Sequence, residues 1–176
     1  MKHLILGGAR SGKSSYAEKL VLELARENNK ASVYVATATA QDQEMAERIQ
    51  RHQRDRSTNQ WQLIEEPIEL ADVLNNAKAE QCLLIDCLTL WLSNCLLDDS
   101  KMAAPNWSER KNVFLESLQK SPADVVLVSN EVGSGIVPMG ELSRRFVDEA
   151  GWLHQRLAEQ CHHVTQVIAG LNKPLK

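Results

Sequence analysis

An α/β fold with a mostly parallel sheet flanked by helices is predicted by two features of the sequence. Short apolar runs rich in branched residues alternate with stretches of helical spacing, the pattern of parallel strands joined by crossover helices. The first such run is followed directly by Gly7-Gly8-Ala9-Arg10-Ser11-Gly12-Lys13-Ser14, a G-x-x-x-x-G-K-S phosphate-binding loop set between a strand and a helix.

In chain order, the branched runs predict strands over 3–6, 32–36, 82–87, 125–129 and 164–169, with 61–65 as an additional short strand. Helices are predicted over 13–27, 42–56, 68–77, 89–97, 106–118 and 140–160. Tyr16, Leu20, Leu22 and Leu24 are the apolar positions expected on the first helix. Residues 98–105 and 133–138 read as loops, and no internal repeat or low-complexity segment interrupts the pattern. With 176 residues, 43% of them hydrophobic, the chain is expected to form one domain spanning 1–176, with a core that needs no disulfides.

Net charge is −3, so the sequence offers no electrostatic basis for nucleic-acid or anionic-membrane binding, and positive charge should concentrate where phosphates sit. Cys82, Cys87, Cys95 and Cys161 show no C-x-x-C spacing and are expected as buried reduced thiols, consistent with a cytoplasmic location. The most apolar stretch, 82–97, is broken by Asp86, Ser93 and Asn94, and neither a signal peptide nor a membrane span is expected.

The loop glycines let the backbone wrap a phosphate with its N–H groups. Lys13 places an ammonium on the outer phosphates, and the Ser14 hydroxyl can ligate Mg²⁺ at the mouth of a helix. Asp86 closes the run Leu83-Leu84-Ile85, where a carboxylate can hold Mg²⁺ or a metal-bound water beside Ser14; without a phosphate loop the same pattern would read as a cap or turn. Arg48, His52 and Arg56 recur every four residues and share one helix face. That stripe fits a solvated surface helix carrying Glu44–Arg48 and Glu47–Arg51 pairs. It also fits a phosphate site in which neutral His52 attacks phosphorus while arginines offset charge. Asn130, Glu131, Gly133, Ser134, Gly135 and Pro138 follow a strand at the rim where ligands bind, read either as a turn into the long helix or as a polar active-site loop. Arg144-Arg145 fits an anion clamp or a solvated helix start, and Asp148 is open in the same way.

Four segments together carry a resemblance: 7–14; Tyr34-Val35-Ala36-Thr37-Ala38; Glu44-Met45-Ala46-Glu47-Arg48-Ile49-Gln50-Arg51-His52; and Ser129-Asn130-Glu131-Val132-Gly133-Ser134-Gly135-Ile136-Val137-Pro138. In this order, and with the closing Ala169-Gly170-Leu171, the chain resembles the bifunctional adenosylcobinamide kinase and adenosylcobinamide-phosphate guanylyltransferase family of cobalamin synthesis. The resemblance implies a P-loop NTPase scaffold related to RecA-type folds, often assembled as a homo-oligomer. It implies phosphorylation of the aminopropanol hydroxyl of adenosylcobinamide by ATP or GTP. GMP then passes from GTP to adenosylcobinamide phosphate through a GMP-histidine intermediate, giving adenosylcobinamide-GDP and pyrophosphate. By motif position His52 is that histidine, while His162 and His163 fall outside the motif as structural residues. The family pattern further implies a nucleotide site lined by Ala36, Thr37, Ala38, Gln53, Arg54, Asp55, Arg56, Glu65 and Asp86. Arg51 stands where some relatives carry another histidine, and His154 where asparagine is usual. A single-activity P-loop kinase would need no histidine nucleophile. A regulatory switch is disfavoured because Asn172-Lys173-Pro174-Leu175 lacks the aspartate of the N-K-x-D guanine-reading motif.

Overall fold

In the computed structural model, which describes residues 1–38, 61–98 and 106–176, strand β1 (Lys2–Gly7) lies inside a seven-stranded sheet. The other strands are β2 (Ala31–Ala36), β3 (Trp61–Glu65), β4 (Gln81–Asp86), β5 (Asp124–Asn130), β6 (His163–Ile168) and β7 (Leu171–Pro174). They run in the order β3-β2-β4-β5-β1-β6-β7, all neighbours parallel except the final antiparallel pair. The predicted α/β class and parallel sheet therefore hold. Strand β7 was not anticipated: its four residues are all exposed, so they carry no inside-outside alternation to read.

Alternation along each strand divides the core in two. On one face, Ile5, Tyr34, Leu84, Val126, Val128 and Val167 pack under helix α1 (Lys13–Glu27). The buried stripe of α1 is Ala17, Val21 and Ala25, at spacings of four, whereas Tyr16, Leu20 and Leu24 flank it only partly buried. The small side chains put α1 against the sheet, and the longer ones reach outward around it.

The opposite face is covered by α2 (Leu70–Asn75), α3 (Leu88–Asp98), α4 (Trp107–Lys120) and α5 (Glu141–Gln160). Helix α2 is shorter than predicted because the Glu66 carboxylate accepts the backbone N–H groups of Ile68 and Glu69, at 2.9 and 2.8 Å, holding that segment as a turn. Asn106 and Glu109 form a reciprocal capping box that starts α4. Trp91, Trp107 and Phe114 fill the space between α3 and α4, with ring centroids 5.1 and 4.6 Å from Trp91. Buried Arg110 ties these helices together through Asp98 at 2.8 Å and Glu69 at 3.1 Å.

All four cysteines are buried free thiols, as expected. Burial pushes the Cys82 and Cys161 thiols up to about 11. No helix of the described residues is long and apolar enough to cross a membrane.

Candidate active site

The phosphate loop occupies the turn between the carboxyl end of β1 and the start of α1, at the rim where ligands gather in open parallel sheets. Gly12 is the residue before the helix and has φ of 95°, a left-handed conformation that favours glycine. Helix α1 has no side-chain cap and no acidic residue in its first turn. Its first turn thus carries no side-chain cap, in contrast to the self-capped α4. Gly7 is required for space: a Cβ there would lie 2.5 Å from Ser11 Oγ and 2.6 Å from the Val167 carbonyl oxygen. Gly170, at the β6–β7 turn, donates its N–H to the Ser11 carbonyl at 2.8 Å and buttresses the loop from below.

Lys13 is 8% exposed, and its ammonium donates to the Gly8 carbonyl at 3.1 Å, so it is folded over the loop it serves. Ser14 is half-buried at the first turn of α1. Ala9 and Arg10 complete the loop as exposed residues, with Arg10 at φ 56°.

The register aligns a second group of predicted residues. Ala36 is paired with Glu65 on one side and with Asp86 on the other, so all three form one row at the carboxyl ends of β3, β2 and β4. Residues paired across parallel strands point to the same face, and that face is the one α1 covers. Asp86 therefore shares the phosphate loop's face. Its carboxylate accepts the Tyr34 hydroxyl at 2.9 Å, which orients it and leaves the other oxygen for a further partner. Glu65 lacked an argument from spacing; the pairing supplies one, and places it as an exposed carboxylate two strands from Asp86.

Thr37 is fully buried, and its hydroxyl is wholly engaged by Cys87, donating to the carbonyl and accepting the N–H, both at 2.8 Å. The peptide joining Asp86 to Cys87, which is cis, is thereby clasped from β2. Asn94 of α3 adds a bond to the Thr37 carbonyl at 2.9 Å. Thr37 thus reaches the site through the position of Asp86 and not through its own hydroxyl. Burial raises the Cys87 thiol, and Asp86 reinforces the effect while Lys13 opposes it, an electrostatic link between the loop and the end of β4. Ala38 ends the described part of this segment. His52, Gln53, Arg54, Asp55 and Arg56, with Arg48 and Arg51, lie outside the described residues.

Between β4 and β1, Asn130 ends β5 beside Gly7, and the Glu131 N–H donates to the Gly7 carbonyl at 3.1 Å. The Glu131 carboxylate accepts the Gly133 N–H at 2.8 Å, closing the polar loop on itself. Ser129 bonds His154 of α5 at 2.7 Å; burial lowers that imidazole's pKa, with Glu131 acting against the shift. Arg144 donates to the Pro138 and Met139 carbonyls and so braces the loop that precedes its helix. His162 and His163 sit at the opposite, amino-terminal rim: His162 Nδ1 accepts the Lys2 N–H at 3.0 Å and His163 packs on His3, which fits structural roles.

Tyr34 and Gly170 were the contributors that sequence reading missed. Tyr34 has the period-two spacing to Ala36, but its partner depends on β2 lying next to β4, which the sequence alone does not specify.

Ser14 and Asp86 are hard oxygen donors of the kind Mg²⁺ takes, and no cluster of three or more His, Cys, Asp or Glu able to hold a metal occurs among the described residues. A nucleotide-bound Mg²⁺, with phosphate and water completing its shell, fits such a sparse protein donor set.

Residues 3–175 match the protein family described as cobinamide kinase / cobinamide phosphate guanyltransferase. A curated relative from Pseudomonas aeruginosa, named bifunctional adenosylcobalamin biosynthesis protein CobP, is 52% identical over 177 residues, covering all of this chain and 98% of the relative. The Escherichia coli K12 protein named bifunctional adenosylcobalamin biosynthesis protein CobU is 37% identical over 191 residues, with complete coverage of both. Among solved structures, the flagellar accessory protein FlaH from Methanocaldococcus jannaschii superposes with a TM-score of 0.55 at 12% identity, covering 99% of this chain and 77% of that one, a likeness of fold alone.

Proposed function

Because the chain belongs to the cobinamide kinase / cobinamide phosphate guanyltransferase family, we propose that both of its group transfers are run from the single phosphate cradle at the carboxyl end of β1. The chain is a bifunctional enzyme of cobalamin biosynthesis, a kinase for cobinamide and a guanylyltransferase for its phosphate. The observation that carries the one-cradle reading is the convergence of Lys13, Ser14 and Asp86 on one face of one sheet edge.

In the first transfer, the aminopropanol hydroxyl of adenosylcobinamide attacks the γ-phosphorus of ATP or GTP and the nucleoside diphosphate leaves. The N–H groups at the start of α1 bind the phosphates, and Lys13 exchanges its Gly8 carbonyl for phosphate oxygens. Ser14 and Asp86 would hold Mg²⁺, which supplies charge neutralisation on the phosphates when bound. In the second transfer, His52 takes GMP from GTP through its imidazole nitrogen and pyrophosphate leaves. A phosphate oxygen of cobinamide phosphate then displaces the histidine, giving adenosylcobinamide-GDP. Splitting the exchange into two displacements keeps two mutually repelling anions from meeting at one phosphorus. Gln53, Arg54, Asp55, Arg56, Ala36, Ala38 and Glu65 line the nucleotide in this reading.

The test is incubation with α-labelled GTP and Mg²⁺. Acid-labile, alkali-stable label is expected on the wild type and absent from His52→Ala, which keeps cobinamide phosphorylation. Lys13→Ala loses both reactions. An unlabelled wild type that phosphorylates cobinamide would instead indicate a kinase alone, and equal loss of both reactions in folded His52→Ala would reduce His52 to a nucleotide-positioning role.

A further inference from the structure

The polar residue at the end of β5 is unused by this mechanism, yet it stands at the point where the phosphate cradle and the Asp86 strand converge. Asn130 pairs directly with Gly7, the first residue of the cradle. Two residues earlier on the same face, Val128 pairs with Asp86. With about 3.3 Å of rise per residue and strands about 4.8 Å apart, the Asn130 backbone lies roughly 8 Å from that of Asp86 and one strand from Gly7. The side chain is directed to the α1 face, as are Val126 and Val128, which precede it by four and two residues.

Its carboxamide oxygen is buried and has no hydrogen-bond partner among the described residues. Ser11 Oγ, on the other side of Gly7, is in the same condition. A side chain that merely terminates a strand is normally satisfied by the protein. The backbone around Asn130, by contrast, is firmly held: β5 pairs with β1 through Asn130 itself, and the Glu131 N–H is bonded to the Gly7 carbonyl. A rigidly placed amide with an unsatisfied oxygen beside a phosphate cradle has the form of a ligand-reading group. An amide can donate to a phosphoryl oxygen and accept from a hydroxyl at once, which a carboxylate or an ammonium cannot do.

We propose that Asn130 is a catalytic residue of the kinase step, its carboxamide donating to the terminal phosphoryl group and accepting from the cobinamide hydroxyl so that the hydroxyl is lined up for in-line attack. This rests on the kinase reading above. The hydroxyl oxygen bonds to the γ-phosphorus as the bridging P–O bond breaks, and the nucleoside diphosphate departs with that electron pair. The hydroxyl proton passes to an oxygen of the transferred group and from there to solvent; Asn130 takes none of it. Because guanylyl transfer occurs at the α-phosphorus, two phosphates away, the same amide should matter little there.

Asn130→Ala and the near-isosteric Asn130→Asp test this in two separate assays: cobinamide phosphorylation, and guanylyl transfer started from preformed cobinamide phosphate. A group that acts on developing charge in the transition state is worth about 10²-fold in kcat. A kinase loss of about that size is expected in both variants, with the loss of guanylyl transfer by Asn130→Ala, read as kcat at saturating GTP, at least about tenfold smaller. Asn130→Asp should in addition weaken binding of a non-hydrolysable triphosphate more than that of the diphosphate, since its charge faces the terminal phosphate. A kinase loss below tenfold, or equal losses in both assays, overturns the proposal. A wild type that fails to phosphorylate cobinamide would instead overturn the kinase reading itself.

Discussion

Replacing Thr37 by valine keeps the shape of a fully buried side chain and removes both hydrogen bonds that clasp the peptide after Asp86. The Cys87 carbonyl retains the Trp91 N–H at 3.2 Å, so its loss is one net bond of about 1 kcal/mol. The Cys87 N–H would be orphaned in the core, at about 1–3 kcal/mol. The sum, about 2–4 kcal/mol, corresponds to a fall in melting temperature of roughly 5–15 °C for a chain of this size. Thr37→Ser keeps the hydroxyl and loses one buried methyl, at about 1 kcal/mol, so it should melt well above the valine variant. Thermal denaturation of the three proteins, alongside titration with a fluorescent nucleotide in Mg²⁺, measures both consequences. Nucleotide affinity should fall with Thr37→Val because Asp86 loses its anchor. If valine proves as stable as serine, or if affinity is untouched, Thr37 does not position the end of β4.

Three further outcomes are expected. Gly7→Ala forces a Cβ against Ser11 and the Val167 carbonyl, so nucleotide binding should weaken at least about tenfold while circular dichroism stays native, a shift of about 1.4 kcal/mol or more readable by titration. Burial, with His163 adding to it, lowers the His3 pKa to about 4, below the 6.5 of an unfolded chain; its contribution is complete above pH 6.5 and is lost as pH falls from there to 4, by roughly 3 kcal/mol. Urea denaturation across that window should show the slope, and His3→Gln should flatten it. Phe114→Ala, emptying a fully buried site against Trp91, should cost about 3–5 kcal/mol in urea denaturation yet leave both activities intact at a temperature where the protein is folded.

What the sequence disclosed depended on how local the determinant was. Gly7 to Ser14 could be read because the loop's chemistry is contiguous, and α1 emerged with its predicted bounds because Lys13 and Glu27 enclose an unbroken helical pattern. Asp86 could be read because an apolar run ends on it. The clasp of Thr37 on Cys87 could not, since it joins positions 50 residues apart through a pairing of β2 with β4 that nothing local encodes. The inward face of α1 was not legible for a related reason: leucines mark hydrophobicity, but the close approach of helix to sheet selects Ala17 and Ala25. Asn130 was visible as a polar residue after a strand, yet its meaning came only from Gly7 lying beside it.

The bond from Gly170 to Ser11 has a consequence for the timing of synthesis. The nucleotide-gripping segment, 7–14, is translated long before its brace, with every parallel strand after β1 made in between. A nascent chain stalled before the β6–β7 turn should therefore hold the signature and fail to retain nucleotide, and that affinity should appear abruptly once the turn has emerged.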